Sequence, residues 1–348
     1  MSRRTAWTRA ALVAVGGAVA WETQRRVDAR RVAADPETAE LERELHGRVV
    51  TARSADGTCL HAEVFGPDDA PTIVLVHGWT CALEFWHYQV RDLSHEFRVV
   101  AFDQRGHGRS EAPRGGGYTD AALADDLQAI LDATVPAGQR CVVAGHSMGG
   151  MTISAWAGRH PEEVRARLGA AALISTGMGD FLEHLLVLRP RRSSRLYDAL
   201  APRLASSSLP LPRSSTPLTH RAIRYVALSP SARPSAVAFT ERMLLACPAP
   251  SRAGFGRFFS TLDLSTSVPC LDVPTVVMVG ERDKLTPPWH ARRLAEALPH
   301  VDAVVEIPEV GHQAPLEAHD VVTARLRDLA RRHLVAPART EAAPAQAG

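Results

Sequence analysis

The stretch that decides the fold reads Cys141-Val142-Val143-Ala144-Gly145-His146-Ser147-Met148-Gly149. A short apolar run ends in a glycine-flanked serine and passes at once into a helical pattern from Met148 to His160. A serine on so tight a strand-to-helix turn is held at strained backbone angles with its hydroxyl projecting. Gly145 and Gly149 are required because a Cβ at either would collide with the neighbouring strand or helix. The turn also aims the N-terminus of the new helix, with its free amides and partial positive charge, at the point where an oxyanion would form. The spacing G-x-S-x-G alone carries little weight; its placement between strand and helix makes Ser147 a candidate nucleophile.

Outward from this turn the chain alternates. Strands are expected at Val49 to Thr51, Leu60 to Phe65, Ile73 to Val76, Val99 to Phe102, Cys141 to Ala144, Ala171 to Ile174, Val276 to Val279 and Val304 to Ile307. Helical patterns at Phe85 to Leu93, Ala121 to Thr134, Met148 to His160, Trp289 to Leu298 and Val321 to Leu334 supply the crossovers. Continuous apolar strands fit a parallel sheet buried on both faces, so the class is α/β. The alternation lapses from residue 178 to 262, where helical stripes appear: Phe181, Leu185 and Leu188; Val237, Met243 and Leu244; Phe255, Phe258, Phe259 and Leu262. The expected division is therefore an N-terminal helical segment at 1–47, a catalytic domain from 48–177 and 263–334, an all-helical insertion at 178–262, and a frayed tail at 335–348.

Composition narrows the classes. The 348 residues are 45% hydrophobic and 22% charged, the range of an ordinary globular protein. With 40 basic against 38 acidic residues no broad positive field exists for a nucleic acid. All but Lys284 of the basic residues are arginine, as codon bias in a GC-rich genome would produce. Cys59, Cys81, Cys141, Cys247 and Cys270 contain no C-x-x-C pair, so they read as free thiols; Cys141 is expected to be a small buried hydrophobe.

The leading segment admits three readings. An apolar stretch from Ala10 to Trp21 would be about 18 Å long as a helix, against ~30 Å for a bilayer core. It fits a soluble or packed helix, an interfacial anchor making peripheral membrane contact, or a signal cleaved after Ala18-Val19-Ala20. Arg25, Arg26, Arg30 and Arg31 follow at once and oppose translocation, which favours a cytoplasmic or membrane-associated protein over a secreted one. Residues before about Leu41 are expected to take no part in the chemistry and to decide location.

The chain resembles the α/β-hydrolase superfamily from about Val49 to Leu334. Besides the serine turn, His77-Gly78-Trp79 ends an apolar strand as the family's oxyanion loop does, and Asp103-Gln104-Arg105-Gly106-His107-Gly108-Arg109-Ser110 is similar to its D-x-R-G-x-G-x-S segment. Gly280-Glu281-Arg282-Asp283 and Gly311-His312 resemble the loops carrying the acid and the base, and the order Ser, Asp, His is the family's own. The resemblance implies an eight-stranded, mostly parallel sheet with the 178–262 insertion as a helical cap.

The chemistry agrees with the order. A serine hydroxyl needs a base, and an imidazole with pKa near 6.5 can take a proton and return it; His312 fills that role. A carboxylate must fix its tautomer and stabilise its charge. Asp283 is chosen for this, with Asp180 as the competing acid. The backbone N–H groups of Trp79 and Met148 should form the oxyanion hole. His146 and His107 read as structural, and Asp103 with Arg105 as an ion pair or loop tether.

No phosphate loop, dinucleotide fingerprint or H-E-x-x-H is present, so no cofactor and no metal is implied. Serine at the turn also argues against the superfamily's haloalkane dehalogenases and epoxide hydrolases, which need an aspartate there. The reading is a serine hydrolase that cleaves esters of small to medium apolar acyl groups through an acyl-enzyme. Phe85, Trp86, Phe181, Phe239 and Phe258 are the expected pocket residues. Acyl transfer, thioester cleavage or perhydrolysis on the same residues is the enzymatic alternative. A ligand-binding protein on a hydrolase scaffold is the alternative of another class.

Overall fold

The computed structural model describes residues 3–113, 115–181, 206–208 and 210–335. Eight strands form one sheet: β1 (Arg48–Arg53), β2 (Cys59–Phe65), β3 (Thr72–Val76), β4 (Arg98–Phe102), β5 (Cys141–His146), β6 (Leu168–Ile174), β7 (Thr275–Gly280) and β8 (Val301–Ile307). Their order across the sheet is β1-β2-β4-β3-β5-β6-β7-β8. β2 runs antiparallel to both β1 and β4, and every other pair is parallel. The central strands β3, β4 and β5 are buried along their whole length. The edge strands β1 and β8 leave Val49, Val301 and Val304 exposed, so the uninterrupted burial expected of an inner strand does not extend to β8.

The crossovers are α3 (His87–Leu93), α4 (Asp120–Thr134), α5 (Met148–Arg159), α10 (Pro288–Ala297) and α12 (His319–Leu334); α1 (Arg3–Ala33) and α2 (Thr38–Leu41) precede β1, and the short α6 (Pro161–Arg167) and α11 (Ala314–Glu317) precede β6 and α12. Local chemistry explains several boundaries. α4 opens at Thr119, whose Oγ1 accepts the Ala122 N–H at 3.1 Å, and it buries Leu123, Leu127, Ile130 and Leu131 along one face. α6 places Pro161 in its first turn, where no amide is needed. A one-turn 3-10 segment, Leu83–Trp86, occupies the start of the helix expected from Phe85.

Between β6 and β7 the described residues form α7 (Pro217–Ala227), α8 (Pro234–Ala246) and α9 (Ala249–Phe258). The two ends of this insertion are joined by a bridge between Gly179 and Asp263 and by Leu264 N–H donating to Met178 O at 2.7 Å. α7 opens with a reciprocal cap between Thr216 and Thr219. A carboxylate holds the helices together: Glu241 of α8 accepts from Ser215 at 2.8 Å and from His220 Nδ1 at 3.0 Å. Leu185 and Leu188 lie outside the described residues, as does the tail beyond Val335.

The leading segment makes contacts with the rest of the protein. Its last third is tied into the body: Asp35 accepts the Ser235 N–H at 3.1 Å, Tyr88 Oη donates to Glu37 at 2.9 Å, and Leu41 is buried with residues of β3 and α8. Apolar burial near Leu41 and a helix start at Pro234 that needs an acceptor make residues 35–41 part of the packed structure. Among the described residues no helix is long and apolar enough to cross a membrane.

Arg105 also corrects the sequence reading, because its partner is not Asp103. Its fully buried guanidinium grips Asp126 of α4 with two bonds of 2.6 Å and reaches Asp56 at 2.8 Å and the Gly117 carbonyl at 2.9 Å. Asp103 instead accepts the amides of Leu83 at 2.7 Å and Arg109 at 2.9 Å. Removing one partner from a buried, hydrogen-bonded pair strands the other charge, so Asp126→Ala should destabilise the protein by about 3 to 5 kcal/mol. Urea unfolding of the variant checks this, and a loss below ~1 kcal/mol would show that water replaces the carboxylate.

Candidate active site

The site lies where the parallel strands end. β5 finishes at His146, and Ser147 follows with φ 52° and ψ −118°, a conformation L-residues rarely adopt. The tightness comes from missing side chains: a Cβ on Gly149 would lie 2.0 Å from the Val76 carbonyl oxygen, and one on Gly145 would lie 2.4 Å from the Gly149 carbonyl carbon. The turn is pinned from behind by Ser147 N–H donating to Ile174 O at 2.9 Å and by Thr176 Oγ1 donating to Ser147 O at 2.7 Å.

The loops after β7 and β8 meet beside it. His312 Nδ1 lies 2.8 Å from Asp283 Oδ2, with His312 4% and Asp283 1% exposed. Oδ1 of Asp283 takes the amides of Leu285 and Thr286, each at 2.8 Å, and Oδ2 also takes the Thr286 hydroxyl at 2.9 Å. Four donors on one carboxylate fix its plane, and with Oδ2 facing Nδ1 the His312 tautomer carries its hydrogen on Nδ1 and leaves Nε2 bare. Asp180 stands elsewhere: it is half-exposed and paired with Arg293 at 2.6 Å. Thr286 is a contributor that sequence reasoning missed, although an Asp followed three residues later by a threonine is a recognisable local hydrogen-bonding pattern.

The loop after β3 is wired by neutral histidines. His77 Nδ1 donates to Gly78 O at 2.7 Å, and its Nε2 accepts the Gln104 N–H at 3.0 Å. His107 Nδ1 donates to Arg105 O at 3.1 Å, and its Nε2 accepts the Thr80 N–H at 3.1 Å. His146 Nε2 donates to His312 O at 2.9 Å, so it braces the main chain of the residue beside Asp283. Thr80 sits at φ 60°, which turns the loop. Among the described residues the N–H groups of Trp79 and Met148 have no hydrogen-bond acceptor, which leaves both available to a ligand oxygen.

A cavity of about 340 Å³ opens over Ser147 and His312, walled by Trp79, Met151, Phe181, Ile223, Leu244 and Phe259, with Thr286 and Gln313 among its polar lining. Of the expected lining residues only Phe181 is there. Phe85 and Trp86 are fully buried beneath the site, Phe85 against the His146 ring at 4.6 Å, because the 3-10 turn directs them into the core. Phe239 faces the other side of α8 under Arg242, in a charged cleft with Glu63 and Asp103. Phe258 turns toward Phe255, and its neighbour Phe259 takes the cavity position, edge-on to Trp79 at 5.3 Å. A wider cleft of about 770 Å³ between α1 and Ser214–Pro217 contains none of these residues.

A sequence profile described as "alpha/beta hydrolase fold" matches residues 71–318. The chain belongs to that family. It is 28% identical over 302 residues to the "Probable oxidoreductase EphD" of Mycobacterium tuberculosis strain H37Rv, covering 80% of this chain and 48% of the relative. It is 38% identical over 121 residues to the "Bifunctional esterase/perhydrolase DCH" of Acinetobacter calcoaceticus, covering 34% of this chain and 42% of the relative. The chain thus spans about half the length of the curated relatives it matches. Among solved structures, a thermophilic esterase from Thermogutta terrifontis superimposes with a TM-score of 0.65 at 26% identity, covering 82% of this chain and 99% of the esterase.

The histidine wiring makes a prediction about acid. In each ring one nitrogen is committed as a donor, and in His77 and His107 the other accepts an amide, so a second proton would face a donor. Burial pushes His77 down to about 4 and His107 to about 3, and burial with the nearby His312 ring holds His146 well below the usual range. The unfolded chain binds these protons at ~6.5, so stability present above that pH is lost as pH falls toward the folded values, at about 1.4 kcal/mol per pH unit for each ring. Urea unfolding between pH 7.5 and 4.5 should show this slope, and His107→Gln should flatten it; an unchanged slope would mean the ring is protonated in the fold.

Proposed function

We propose that the protein is a serine hydrolase that cleaves carboxylic esters of small to medium apolar acyl groups through an acyl-enzyme. The observation that carries this reading is the 2.8 Å contact between His312 Nδ1 and a fully donor-saturated Asp283, at the edge of an apolar cavity that also holds Ser147 in a strained turn. Binding alone would not require a bare imidazole nitrogen facing the same cavity as a projecting serine.

In this mechanism Ser147 Oγ attacks the ester carbonyl while His312 Nε2 takes its proton. Asp283 stabilises the imidazolium and keeps its own negative charge. The carbonyl oxygen becomes an oxyanion that accepts the N–H groups of Trp79 and Met148, both lacking other acceptors, so no bond must be broken as charge develops. Collapse expels the alcohol, which leaves with the proton held by His312. Water then attacks the acyl-enzyme by the same steps in reverse, and the acid is released. The apolar walls favour a hydrocarbon acyl chain, while Thr286 and Gln313 near His312 suit the more polar leaving group.

A second reading keeps the acyl-enzyme but intercepts it with peroxide or alcohol, and the similarity to the esterase/perhydrolase of Acinetobacter supports testing it. Added hydrogen peroxide or alcohol should divert product from acid to peracid or new ester if transfer competes with water.

Ser147→Ala should abolish both ester hydrolysis and fluorophosphonate labelling, with turnover down on the order of 10⁶, while the fold persists. Asp283→Asn should cost on the order of 10⁴, and Asp180→Asn little. Nitrophenyl esters of increasing chain length, followed by initial rates, test all three; a folded Ser147→Ala protein with normal activity would remove the nucleophile and the mechanism with it. On the same series Phe181→Ala and Phe259→Ala should shift the chain-length preference, whereas Phe239→Ala should leave it unchanged.

A further inference from the structure

The last turn of α7 is built into the loops that carry Asp283 and His312. A helix leaves its final four carbonyls without partners of its own. In α7 the Ala227 carbonyl accepts the main-chain N–H of His312 at 3.0 Å, and the Tyr225 carbonyl accepts Lys284 Nζ at 2.7 Å. Lys284 is the sole lysine of the chain, sits next to Asp283, and also lies over the Tyr225 ring at 3.8 Å. Its charge meets the negative end of the helix dipole.

Glu317 completes the joint. One carboxylate oxygen accepts the Gly311 N–H at 3.1 Å and the other accepts the Ser229 N–H at 2.8 Å, so a single side chain clasps the residue before His312 and the chain leaving α7. The two segments are in contact, since a Cβ on Gly311 would lie 2.5 Å from Ser229 N. The same helix is a wall of the cavity through Ala222, Ile223, Val226 and Ala227.

We infer that Glu317 is a positioning residue that fastens His312 to α7, so that a group filling the cavity against α7 acts on the placement of the base. The inference deepens the hydrolase reading and rests on it for its kinetic consequence. Acyl chains that press on Ile223 and Val226 then alter kcat as well as KM. Short chains that do not reach α7 leave the coupling unused.

The test uses the full-length chain with Glu317→Ala and Glu317→Gln. A carboxamide can accept only one of the two amides and turns an N–H₂ toward the other, so Gln should lie between wild type and Ala. Displacement of a base by about 1 Å costs on the order of 100-fold, so kcat should fall by about that factor in Ala and about tenfold in Gln, with KM for a short ester within threefold of wild type. Hydrogen exchange supplies a readout independent of turnover: amide exchange at Gly311, His312 and Ser229 should accelerate in Glu317→Ala and by less in Glu317→Gln, which keeps one of the two amides bonded, while exchange at Leu285 and Thr286 stays as in wild type. Wild-type kcat in a folded Glu317→Ala protein, a loss confined to KM, or unchanged exchange at those three amides would overturn the inference. Wild-type protein that neither labels nor hydrolyses any ester would overturn the proposed function instead, and the exchange result would still decide whether Glu317 joins the two segments.

Discussion

Helix α5 can begin where it does only because nothing larger than hydrogen projects from Gly149 toward the Val76 carbonyl. That approach locks the start of the helix to the end of β3. Val76 and Gly145 are register partners across the parallel β3–β5 pair, so the loop carrying Trp79 and the turn carrying Ser147 leave the sheet at the same level. The free amides of both segments, the strained φ of Ser147 and the floor of the cavity all follow from this close packing of main chain on main chain. A methyl group at either glycine would separate the elements that the rest of the site assumes to be adjacent.

Much of this was legible before any coordinates. A run of Val and Ala closing on Gly-x-Ser-x-Gly has few structural solutions, and strands β3 to β7 fall where their apolar runs stand, because a parallel sheet covered on both faces needs continuous hydrophobicity. The pairing of Asp283 with His312 was legible through the resemblance of Gly280-Glu281-Arg282-Asp283 and Gly311-His312 to the family's acid and base loops. The aromatic lining was not. A helical stripe such as Phe255, Phe258 and Phe259 tells which residues avoid water but not which of two apolar surroundings, core or cavity, each will face, and a rotation of one residue exchanges Phe258 for Phe259. Phe85 and Trp86 show the same limit in a 3-10 turn, whose tighter pitch changes the direction of every side chain relative to an α-helix. The partner of Arg105 was illegible for another reason: Asp126 lies 21 residues further on, on a helix whose placement over the sheet decides which carboxylate the guanidinium reaches.

The support behind the site is made from neutral rings rather than ion pairs. A histidine with one protonated nitrogen is both donor and acceptor, so His77 and His107 can each join a carbonyl to an amide across a loop without bringing a formal charge beneath the Trp79 amide. A lysine in those positions would offer only donors and would change the potential at the Trp79 amide. The charged members of the same neighbourhood, Arg105, Asp126 and Asp56, pair with one another and tie the segment after β4 to α4 and to the turn between β1 and β2.

The knot of contacts around Asp35 bears on how the chain reaches this state. Asp35 waits for the Ser235 amide 200 positions later, and Gln89 reaches the Pro315 carbonyl across 226. Neither bond can form on a growing chain until most of it has left the ribosome, and closing loops of that length must be paid for in entropy before the contacts return anything. The early segments therefore spend most of synthesis without these partners, the donor in one case and the acceptor in the other.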